Sequence, residues 1–179
     1  MKTLTLLRHA KSDWSDGVAR DFDRPLMERG MRGARTVGEH MRALGLGFDA
    51  VVASPARRCI DTLDSLCTGY GETLSPSWDR RIYLASGATL LDVVHDTADS
   101  VDRLLLVGHN PGLEDLILML VPDTGDERLR DDVEEKFPTA SFAELQLDVA
   151  RWGDVRSNGA HLARFVRPRD LDPALGPQS

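Results

Sequence analysis

Short runs of consecutive apolar residues alternate along this chain with longer stretches in which apolar residues recur every three or four positions. The runs at 2–8 (KTLTLLR), 49–53 (DAVVA) and 103–107 (RLLLV) predict strands, with a weaker one at 73–77. Met27, Met31, Ala34, Val37, Met41 and Leu44 keep helical spacing, and Gly45 and Gly47 stop that helix. Ala56, Ile60, Leu63 and Cys67 repeat the spacing, as do Leu113, Leu116, Ile117 and Leu120, and residues 88–98 predict a further helix. Continuous apolar strands joined by helices imply a mostly parallel sheet covered on both faces, an α/β/α sandwich of three layers. Residues 141–148 (SFAELQLD) alternate and predict an added strand, as do 162–166 (LARFV).

The 179 residues are enough for one domain with a real core, expected over 1–167. Residues 168–179 hold three prolines and are expected to form a loosely held tail. A formal charge of −7 argues against general nucleic-acid or anionic-membrane binding, so an anionic ligand must be held by a local cation cluster. Seven acids against three bases at 123–136 read as a solvated loop or helix face. "LTLL" is too short for a signal-peptide core, and no run approaches the ~18 apolar residues of a membrane span. Eight helical residues would hold Cys59 and Cys67 about 12 Å apart, too far for a disulfide. Free thiols fit a reducing, cytoplasmic setting.

In open α/β sheets ligands bind beyond the carboxyl ends of the strands. The first strand ends in Arg8-His9, the second runs into "SPARR" (Ser54–Arg58), and the third into "GHNPG" (Gly108–Gly112). Guanidiniums brought together repel, so an anion is the natural occupant, and their planar fork fits phosphate. A helix starting near Pro111-Gly112 would add N-terminal amides. Each element also has an ordinary structural reading, as His40, His95 and His161 do, but three equivalent strand ends favour an anion site. A metallohydrolase built on His9, His109 and a carboxylate is disfavoured, because the arginines at these strand ends would repel a divalent cation. A non-catalytic phosphate-binding module would keep the arginines without needing an imidazole.

"LLRHAKS" resembles the Arg-His-Gly signature of the histidine phosphatase superfamily. "DRPLMERGMRGA", "SPARRCIDT" and "LLVGHNPGLEDL" resemble its later segments in the expected order, and the likeness continues through "FPTASFAEL" to "RFVRPRDL". The spellings "RHAKSDW" and "GHNPGLEDL" look most like the small bacterial SixA-type phosphohistidine phosphatases. The resemblance implies a phosphoglycerate mutase-like fold, no cofactor or metal, and a phosphorylated substrate such as a phosphohistidine-bearing signalling protein. It implies His9 as nucleophile and Arg8, Arg58 and His109 as holders of the phosphoryl oxygens. Arg57 then becomes only a neighbour of Arg58 on its helix, with Ser12 and Asn110 as lesser substrate contacts.

Two positions depart from the family pattern. Ala10 stands where the family usually has Gly, giving up glycine-only backbone angles but keeping a carbonyl able to fix the imidazole tautomer. The mid-chain segment "SWDRRIYLASGATL" lacks the glutamate acid of many relatives, leaving Asp13, Asp21, Asp23 and Glu114 as candidate proton donors. Loop 10–25, with Lys11, Ser12, Arg20 and Arg24, is expected to rim the pocket. Small phosphomonoesters are the alternative substrates.

Overall fold

A computed structural model describes residues 1–15, 17, 20–125 and 127–177. Positions 16, 18 and 19 of the expected rim loop, 126 of the acidic run and 178–179 lie outside the described residues. The strands are β1 (Lys2–Arg8), β2 (Ala50–Ala53), β3 (Ser77–Trp78), β4 (Arg103–Gly108), β5 (Phe142–Leu147) and β6 (Ala160–Val166). The helices are α1 (Glu28–Ala43), α2 (Arg57–Tyr70), α3 (Gly87–His95), α4 (Gly112–Leu120), α5 (Arg128–Glu135) and α6 (Pro168–Leu171). Among the described residues no helix is long and apolar enough to cross a membrane.

The strands form one sheet in the order β3-β2-β4-β1-β5-β6, in which β1, β2, β3 and β4 are mutually parallel. β5 runs antiparallel to both of its neighbours, as an alternating strand added beside β1. The central strands β1 and β4 are buried on both faces, which explains their unbroken apolar runs. One face carries Leu7, Val51, Leu105 and Val107 against α1 and α2; the other carries Leu4, Leu6, Leu104 and Leu106 against α3 and α4. From the adjacent ends of β1 and β4 the chain therefore leaves toward opposite faces, which opens a crevice at the carboxyl edge.

The weak strand expected at 73–77 is confined to Ser77–Trp78, both exposed, at the sheet edge where little apolar cover is available. The acidic run folds in part as α5, an outward face that buries only Val133. The segment from 168 does not hang loose as expected. Pro168 starts α6, Pro173 starts a 3-10 turn, Leu171 packs on the core, and Arg29 donates to the Gly176 carbonyl. Proline suits the first position of a helix, so here the prolines mark starts and not disorder.

α1 and α2 approach closely because glycines face each other. A Cβ on Gly38 would lie 2.1 Å from the Leu66 carbonyl oxygen, and one on Gly69 2.0 Å from that of Arg35. Ala in mid-helix gains about 1 kcal/mol over Gly. Backbone overlap outweighs this, since overpacking costs about 1–3 kcal/mol even where side chains can yield. Gly38→Ala is expected to lose about 2 kcal/mol net in urea denaturation. Equal or greater stability would contradict this packing.

Candidate active site

Arg8 is the last paired residue of β1, opposite Gly108 of β4, and His9 follows it out of the sheet. The His9 N–H donates to the Gly108 carbonyl at 3.0 Å, and the Ala140 N–H is shared between the Arg8 and His9 carbonyls. The His9 ring is buried, with Nδ1 2.7 Å from the Ala10 carbonyl oxygen. A carbonyl only accepts, so Nδ1 carries the proton and Nε2 keeps its lone pair. Ala10 is not among the positive-φ residues, so the missing glycine introduces no strain. Its N–H donates to Thr62 Oγ1, which in turn donates to the Arg58 carbonyl, tying the end of β1 to α2.

His109 leaves β4 beside it, with ring centroids 5.3 Å apart. Its Nδ1 lies 3.3 Å from Arg58 Nη2 and its Nε2 2.8 Å from Ser54 Oγ. A guanidinium only donates, so Nδ1 is the acceptor and Nε2 carries the proton toward Ser54.

α2 turns Arg58 inward, 2% exposed, while Arg57 points to solvent at 60% and pairs with Asp61. Arg58 donates to the Asp21 carbonyl and to Asp21 Oδ2, both at 3.0 Å. The same carboxylate accepts from Arg24 at 3.0 Å and from the Tyr83 hydroxyl at 2.6 Å. Arg24 also donates to Ser12 Oγ and lies over the exposed Trp14 ring. Arg8 donates to the Phe137 carbonyl, as does Asn110. Among the described residues, the buried Nε groups of Arg8, Arg24 and Arg58 have no hydrogen-bond partner. Two of these guanidiniums, those of Arg24 and Arg58, share the Asp21 carboxylate, while the charge of Glu114 acts on Arg8.

These side chains line a cavity of about 530 Å³. Lys11, Ser12, Trp14, Leu84, Lys136 and Thr139 complete it. Arg8, His9, Arg58, His109, Ser12 and Asn110 are therefore brought together as the sequence predicts. Of the four candidate acids, only Asp21 lines the cavity. Asp13 accepts from Ser15, Asp23 pairs with exposed Arg20, and Glu114 sits in the first turn of α4. Arg20, expected at the rim, is likewise not among the lining residues. The α4 amides are not presented to the cavity as expected: Leu113 N–H donates to the His109 carbonyl and Glu114 N–H to Asn110 Oδ1. Tyr83 and Thr62 were not singled out from the sequence, although Thr62 closes the "SPARRCIDT" motif.

Burial lowers the pKa of His9 to about 3; the neighbouring His109 and the charges of Arg58 and Arg8 add to the effect, against the Ala10 hydrogen bond. Burial and Arg58 lower His109 to about 3 as well. Burial alone would raise Asp21, but hydrogen bonds from Tyr83, Arg24 and Arg58 hold it at about 2. Both imidazoles are neutral and Asp21 is ionised at neutral pH. Among the described residues, no group of three His, Cys, Asp or Glu side chains is arranged to hold a metal ion.

The unfolded chain would protonate both histidines below about pH 6.5 while the folded chain would not. More protons on the unfolded state means that this stability is present above pH 6.5 and is lost as pH falls toward 3. In phosphate-free buffer, His9→Gln is expected to flatten the fall of unfolding free energy between pH 6 and 4 by roughly 1 kcal/mol per pH unit. Parallel curves for the two proteins would contradict a neutral buried His9.

The sequence model of the histidine phosphatase superfamily (branch 1) matches residues 4–81. An uncharacterized protein of Mycobacterium tuberculosis is 37% identical over 164 residues, covering 91% of this chain and all of the relative. The structure of a candidate phosphohistidine phosphatase SixA from Nakamurella multipartitia superposes with a TM-score of 0.81 at 27% identity, over 93% of this chain and 96% of that one. A similarly described SixA from Agrobacterium tumefaciens gives 0.76 at 27% identity, over 93% and 98%. With the fold and the paired histidine motifs, these likenesses show that the chain belongs to the histidine phosphatase superfamily, on its SixA-type branch, and is a phosphatase.

Proposed function

We propose that this phosphatase removes the phosphoryl group from phosphohistidine in a signalling protein, through a covalent intermediate on His9. Nε2 of neutral His9 attacks phosphorus, and the bond to the substrate imidazole breaks with its electron pair going to that nitrogen. Water then attacks the His9 phosphoramidate, releasing inorganic phosphate and neutral His9. Arg8 and Arg58 hold the equatorial oxygens, with Ser12 and Asn110 at the edge of the same cradle. His109 faces Arg58 through an unprotonated Nδ1. An anion there favours protonation of Nδ1, which turns His109 into a third donor. No step calls for a metal. The cytoplasm is the proposed compartment, where Cys59 and Cys67 remain free thiols.

One observation supports phosphohistidine over a phosphate ester. Among the described residues lining the cavity, the only carboxyl group is Asp21, and three donors keep it ionised. It is therefore a poor acid. An alkoxide leaving group needs one, because its conjugate acid is about as weak as water, with a pKa of ~15.7. A substrate imidazole whose other ring nitrogen carries a proton departs as the neutral conjugate base of an imidazolium of pKa near 6.5 and needs little help.

The expected outcome is a steep dependence on the leaving group. Phosphohistidine and activated aryl phosphates should exceed alkyl phosphates in kcat/KM by about 10²–10⁴-fold, the size of the absent general-acid contribution. A series of esters assayed beside a phosphohistidine peptide measures it. A flat series reaching alkyl phosphates would overturn this reading and favour small phosphomonoesters.

A further inference from the structure

A second cavity, of about 450 Å³, adjoins the first. The two share Lys11, Lys136, Pro138 and Thr139. Beyond that common ridge its lining includes Arg29 of α1 and Arg167 and Arg169 around α6, with Gly30, Gly33 and Leu175 between them. Five lining side chains are cationic and none is acidic, in a chain whose net charge is −7. The surplus is local.

Little within the chain neutralises it. Arg167 pairs with Asp170 at 3.0 Å, and Asp132 and Glu135 of α5 also act on it. Asp170 acts on Arg169 as well, but Arg169 makes no hydrogen bond or ion pair among the described residues. Arg29 donates only to the neutral Gly176 carbonyl, which fixes its position and leaves its charge free. The Lys11 and Lys136 side chains, on the ridge, make no hydrogen bond or ion pair among the described residues. A guanidinium fixed without a carboxylate, as that of Arg29 is, suits a ligand carboxylate.

The phosphoryl group has its own cradle in the first cavity, so the second must receive another part of the substrate. A small phosphoester ends within the first cavity. A polypeptide does not: each extended residue advances ~3.3 Å, so side chains a few positions from a phosphohistidine can cross the Lys11–Lys136 ridge. We propose that the second cavity binds acidic side chains flanking the phosphohistidine of the protein substrate, and so selects substrates by local sequence. The proposal rests on the phosphohistidine reading above.

Two phosphohistidine peptides that differ only in flanking Glu or Gln residues test it. At low ionic strength kcat/KM should favour the Glu peptide about fivefold to tenfold, the effect of two or three exposed ion pairs. The ratio should shrink toward one as salt screens the pairs. Arg29→Gln with Arg169→Gln should bring the ratio near one, and the corresponding Arg→Lys pair should keep most of it. Equal turnover of both peptides, or a preference that survives the Gln pair, would overturn the subsite. Should the Gln pair fail to fold, the native enzyme's salt dependence decides: a ratio unchanged by salt overturns the proposal. If neither peptide is dephosphorylated while aryl phosphates are, the phosphohistidine reading falls first and the subsite with it.

Discussion

Positive charge gathered beyond the carboxyl edge of the sheet is the constraint to which the surrounding structure answers. Burying a guanidinium without a partner is strongly unfavourable, and removing one member of a buried pair costs about 3–5 kcal/mol. Asp21 serves both Arg58 and Arg24, and Arg8 has the Phe137 carbonyl and the charge of Glu114. Three guanidiniums against two carboxylates leave the cluster short of negative charge. The same shortage, together with burial, keeps His9 and His109 neutral. One arrangement thus suits an anion and leaves His9 Nε2 with a free lone pair, as the proposed mechanism requires.

Holding such a cluster together requires a rigid frame. The central strands are packed on both faces, so the adjacent ends of β1 and β4 cannot drift apart. Ala140 clamps the Arg8 and His9 carbonyls from one side, and Thr62 joins the Ala10 peptide to the Arg58 carbonyl from the other. Close glycine contacts let α1 and α2 sit as one layer behind the site. The pocket therefore has its shape before substrate arrives, which is what electrostatic stabilisation of a transition state needs.

The frame and the cradle were legible because they depend on local pattern. Unbroken apolar runs marked β1 and β4, and reading only the residues beyond strand ends brought Arg8, His9, Arg58 and His109 together. The motif register also separated inward Arg58 from outward Arg57. What stayed hidden depends on long-range contact. Asp21 was visible as an acid, but its ionised state depends on Arg58 and Tyr83, far away in sequence. The α4 amides looked available until Asn110 and the His109 carbonyl took two of them. The second cavity joins α1, the loop before β5 and the segment from 167, whose prolines suggested a tail. No single stretch of sequence shows that meeting of charges.

The central claim is that the His9 lone pair forms a bond to phosphorus. Rapid quenching of the enzyme with a radiolabelled aryl phosphate, followed by peptide mapping, measures this directly. The account predicts label on His9 that is lost in acid and retained in alkali, as a phosphoramidate should be, and no label in His9→Ala. Turnover without a labelled His9, or stable label on another residue, would contradict it.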